Sequence, residues 1–66
     1  MPPVWKPQSY EVIKHWFDTI MDEAEEKLND WERNFLDSIG KRIDNHYNLT
    51  EAQEKVLERI YAEKTS

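Results

Sequence analysis

The stretch SYEVIKHWFDTIMDEAEEKLN, residues 9–29, decides the fold. Tyr10, Ile13, Phe17, Ile20, Ala24 and Leu28 recur in it at steps of three and four residues, the spacing of one side of an α-helix. Ser9 stands where a side-chain oxygen can cap the first free amides. Glu11 lies in the first turn, where the helix dipole favours a negative charge. The spacing predicts a helix over residues 10–28, about five turns long. Trp16 and Met21 widen its apolar side, so that two other helices can pack against it.

Working towards the C-terminus, Asn29 followed by Glu32 has the arrangement of a capping box, in which each side chain satisfies a free amide. A second helix is expected over 30–46, with Trp31, Phe35, Leu36, Ile39, Ile43 and Tyr47 on its buried side. Gly40 falls inside it at a cost of about 1 kcal/mol relative to alanine. Close helix approach would explain it; simple tolerance is the favoured reading. Asn45 and Asn48 can supply a left-handed stop. Thr50 with Gln53 forms another capping box and predicts a third helix over 51–63, with Gln53, Val56, Leu57, Ile60 and Tyr61 inward. Glu51 with Lys55 on its outer side supports that helix, and Glu54 with Glu58 opposes it slightly.

Towards the N-terminus, Pro2, Pro3 and Pro7 hold residues 1–8 extended. Trp5 in this arm is expected to fold back over the open end of the bundle; presentation to a partner is the alternative. The expected architecture is all-α: a compact three-helix bundle over residues 9–66, preceded by an extended proline-rich N-terminal arm.

A chain of 66 residues allows one domain with a thin core, and without cysteine neither a disulfide nor a thiolate metal site can reinforce it. Eight aromatic residues provide large apolar side chains in compensation. No apolar run approaches the length of a membrane span, and residues 1–8 lack the pattern of a secretory signal. The expectation is a soluble cytoplasmic protein with no membrane partner.

The formal charge is −5 and is unevenly placed. Between Tyr10 and Leu28, six acids face two bases, leaving −4, while the rest of the chain is nearly neutral. Glu11, Asp18, Asp22 and Glu25 follow one another at seven, four and three residues and form a negative stripe along the first helix, joined by Glu26. Charge runs most often do no more than solvate a surface. The sharper reading is a surface for a basic patch on a protein partner, with Trp16 or Met21 as an apolar anchor. Direct binding to nucleic acid would need clustered Lys and Arg instead.

Chemistry is not expected. His15 with Asp18 and Asp22 has spacings a metal could use, but one imidazole and two surface carboxylates are usually solvated, so no metal or cofactor is expected. His46 is expected in a loop without a partner. No nucleophilic triad, phosphate loop or HExxH motif occurs, and the chain reads as a binding module rather than an enzyme.

Two resemblances add to this. Leu49-Thr50-Glu51-Ala52-Gln53-Glu54-Lys55-Val56-Leu57-Glu58-Arg59-Ile60-Tyr61, with Asn29-Asp30-Trp31-Glu32-Arg33-Asn34-Phe35, resembles small helical proteins and protein tails encoded by bacteriophages and prophages. This covers roughly half of the chain and implies a phage origin and a bacterial host, but no particular activity. Leu49, Thr50, Gln53, Val56, Leu57 and Ile60 are also similar to the opening helix of LuxR-type helix-turn-helix domains. In that family this helix is scaffolding, so the similarity implies no DNA contact by these residues. Three functions therefore stand open: a module that modulates a host or phage protein, a nucleic-acid mimic that inhibits a defence or DNA-handling protein, and a self-associating homodimer.

Overall fold

The structure, a computed structural model, describes residues 6–65. Three helices occupy most of them: α1 (Tyr10–Glu23), α2 (Asp30–Asp44) and α3 (Glu51–Lys64), with a short 3-10 turn at Glu25–Lys27. Among the described residues there is no strand. Ile20, Leu36, Ile39, Leu57 and Ile60 are fully buried along the axis, and Ile13, Ala24, Leu28, Ile43 and Leu49 complete the core. The all-α three-helix bundle is therefore as the periodicity implies.

Both ends of the bundle are tied by contacts that also fix helix direction. The Gln8 amide donates to both carboxylate oxygens of Glu54, at 3.2 and 3.3 Å, beside the first turns of α1 and α3. At the other end Lys27 donates to the Lys64 carbonyl at 3.4 Å, and the Lys64 ammonium lies 3.8 Å from Glu32. Hence α1 and α3 run parallel and α2 runs against both. The arm's root at Pro7 and Gln8 is non-helical, as expected, while Trp5 lies outside the described residues.

Helix α1 stops earlier than its apolar spacing implies. Asp22, Glu23, Glu25 and Glu26 crowd its C-terminal end, where the dipole disfavours negative charge, and no basic residue stands in its last turn. The Ala24 amide still reaches the Ile20 carbonyl at 2.8 Å, and the chain then tightens into the 3-10 turn. Arg33 holds that turn, donating to the carbonyls of Glu25 at 3.1 Å and Leu28 at 3.4 Å. Leu28 thus stays in the core although it has left the helix.

Helix α2 begins with the expected capping box: Glu32 N donates to Asn29 Oδ1 at 2.8 Å and Asn29 N to Glu32 Oε1 at 2.9 Å. Its end differs from expectation. His46, not an asparagine, takes the left-handed conformation, with φ of 58°. The His46 amide donates to Ile43 and the Tyr47 amide to Arg42, at 3.0 and 2.8 Å, which closes a Schellman turn after Asp44. The second box, Thr50 with Gln53, caps α3 as expected, and α3 runs one residue further than predicted, to Lys64.

Four placements correct the sequence reading. Trp31 is 61% exposed, because Glu32 takes the inward position of that turn through its capping role and its approach to Lys64. Tyr47 is 64% exposed, since the turn at His46 carries the chain off the α2 periodicity. Glu54 is buried rather than on an outer side, drawn in by the Gln8 amide. Gly40 is a site of close approach and not of mere tolerance: a Cβ there would meet Phe17 Cζ at 3.0 Å. Tyr10, on the inward stripe, remains partly exposed and stacks on His46 with ring centres 4.2 Å apart.

Candidate interaction surface

Helical spacing places Glu11, Asp18 and Asp22 on one side of α1, and all three are exposed. Glu25 and Glu26 are exposed as well, but they stand on the 3-10 turn. The acidic surface is consequently a straight row that bends at Ala24. One cation interrupts it: Lys14 Nζ donates to Asp18 at 3.0 Å, one turn away. The hydrogen bond and charge of Asp18 raise the Lys14 pKa above its ordinary 10.5, so the lysine keeps its charge in this exposed pair until pH rises through the lysine range.

The two proposed anchors differ in access. Trp16 is half-buried against the core, its ring 6.0 Å from that of Tyr61 on α3. Met21 is 36% exposed on the flank of α1 that faces α2. Of the pair, Met21 is the one available to a partner. His15 stays near Tyr61, with ring centres 6.0 Å apart, and among the described residues no group of three metal-ligating side chains converges. No described helix is long and apolar enough to cross a membrane.

Beside Met21 lies a feature that the sequence reading missed, an open groove of about 320 Å³ between α1 and α2. Phe17, Met21, Leu28, Leu36 and Gly40 line its apolar part. Glu25 borders it at the end of α1, and Asp37 and Asp44 along α2, with Arg33 and Lys41 between them. The Phe17 ring rests on Gly40, whose missing side chain lets the two helices share that surface. The row Asp37, Gly40, Lys41 and Asp44 at steps of three, one and three was a signal for one side of α2, but only the pairing with Phe17 makes it a groove. A smaller cavity of about 80 Å³ lies near the arm's root, between Tyr10, His46, Tyr47 and Glu54.

The chain matches no protein-family model, no curated protein and no solved structure at a significant level.

Proposed function

We propose that this protein is an acidic protein-protein interaction module, not an enzyme, that modulates a host or phage protein through the acidic face of α1. Glu11, Asp18, Asp22, Glu25 and Glu26 form the charged contact, and Met21 is the apolar anchor in place of the half-buried Trp16. The observation that carries this reading is the unbroken exposure of all five carboxylates next to an exposed methionine, which gives an apolar point with a charged surround. The resemblance of the α2 and α3 segments to phage-encoded helical proteins supports a bacterial setting for the partner. A basic patch that normally holds nucleic acid is one form the partner's surface can take.

The test is capture of partners from a bacterial lysate by the tagged chain, at low and high salt, beside its mass by light scattering. The expected result is a monomer that retains a basic protein at low salt and releases it at high salt. Replacing Asp18, Asp22 and Glu25 by lysine leaves helical content unchanged and weakens that capture by tenfold or more, about 1.4 kcal/mol. Unchanged capture by the variant would remove the acidic face from the mechanism. A dimer that persists at high salt with no partner would favour self-association instead.

A further inference from the structure

The groove between α1 and α2 has an apolar floor flanked by charge, and its chemistry defines an occupant. We propose that it receives one basic amphipathic helix of a partner protein, which sets apolar side chains against Phe17, Met21 and Leu36 and lysines or arginines on the acidic rims. This rests on the protein-binding reading above and adds the place and the kind of segment bound.

Charge selects the sign of the partner. Glu25, Asp37 and Asp44 line the groove against Arg33 and Lys41, which leaves −1, and Asp18, Asp22 and Lys14 lie outside its lining on the adjoining exposed surface of α1. Two of those cations are already engaged: Lys14 by Asp18, and the Arg33 guanidinium by the Glu25 and Leu28 carbonyls. The carboxylates of Asp22, Asp37 and Asp44 have no salt bridge among the described residues. A basic segment gains these charges, and an acidic segment or a phosphate backbone is repelled by them.

Backbone chemistry selects the conformation. Both walls are helices whose amides and carbonyls are satisfied internally, and no strand edge exists among the described residues, so an extended peptide would find no main-chain partners. A helix brings its own hydrogen bonds and needs only side-chain contacts. Laid between antiparallel α1 and α2, on a face that α3 does not cover, it would extend the fold towards a four-helix arrangement with the usual packing of ridges into grooves.

The experiment is selection from a library of helix-forming peptides of about 18 residues, randomised at apolar and charged positions, on the immobilised full chain. Selected peptides are then titrated into the isotope-labelled protein and followed by amide shifts. The expected peptides carry apolar residues at three- and four-residue spacing flanked by Lys or Arg, and they shift the amides of Phe17, Met21, Leu36 and Gly40. Met21→Arg, a change at an exposed position, and the double change Asp37→Lys with Asp44→Lys each weaken binding about tenfold or more. Basic peptides without apolar spacing, indifferent to these variants yet lost on Asp18→Lys with Asp22→Lys, would overturn the groove and leave the acidic face of α1 standing. Enrichment of acidic peptides, or of none, would overturn the groove proposal outright.

Discussion

Gly40 and Phe17 show how a single missing methyl group shapes the surface. The Phe17 ring approaches the Gly40 position with Cζ at 3.0 Å and Cε2 at 3.3 Å from where a Cβ would stand. Alanine would improve the helix by about 1 kcal/mol, but the ring must then move by a few tenths of an ångström. Phe17 is half-buried and borders the open groove, so the ring can move at a modest cost. Gly40→Ala is therefore expected to change stability by less than about 1 kcal/mol in the native background. In a Phe17→Leu background the obstacle is gone, and the same change should stabilise by about 1 kcal/mol. Urea unfolding of the double-mutant cycle measures that difference; additive effects would mean that the ring does not constrain Gly40.

At the level of elements, the legible features were those that a few neighbouring residues complete. Asn29 with Glu32 and Thr50 with Gln53 are capping boxes in the chain and in the structure, because each is closed by residues three apart. The acidic row was legible for the same reason. The end of α1 was not, since Ala24 and Leu28 continue the apolar period while the acids around them oppose the helix C-terminus. The groove was not either, because it exists only once Phe17 of one helix lies on Gly40 of another. At the end of α2 a histidine occupies the left-handed position, with its ring stacked on Tyr10, where asparagine was the natural expectation. His46→Gly and His46→Ala both delete the ring, so their difference isolates the backbone. Glycine should be the more stable variant by about 1 kcal/mol, read from the two urea midpoints, and equal midpoints would mean that the turn relaxes without this conformation.

Across the whole molecule, stability depends on how a thin core is closed at its two ends, and a buried glutamate stands at each. Glu32 serves the end where α2 begins, inside its capping box and near Lys64. Glu54 serves the other, where it joins the arm's root, α1 and α3. Glu54 is 6% exposed, its carboxylate receives the Gln8 amide, and among the described residues no cation lies within salt-bridge distance of it. A buried carboxylate needs compensation. The parallel arrangement provides it, because the positive dipole ends of α1 and α3 both lie at this end of the bundle. Glu54→Gln keeps the shape and one acceptor oxygen but removes the charge, and should cost about 1 kcal/mol. Glu54→Ala also frees the Gln8 amide and empties the position, and should cost about 2 kcal/mol. Glu58→Gln, on an exposed turn of the same helix, is the control and should cost nothing measurable. Urea unfolding of the three variants separates the terms: equal losses for glutamine and alanine would place the whole contribution in the charge, and no loss in either would mean that the arm's root is not what holds this end together.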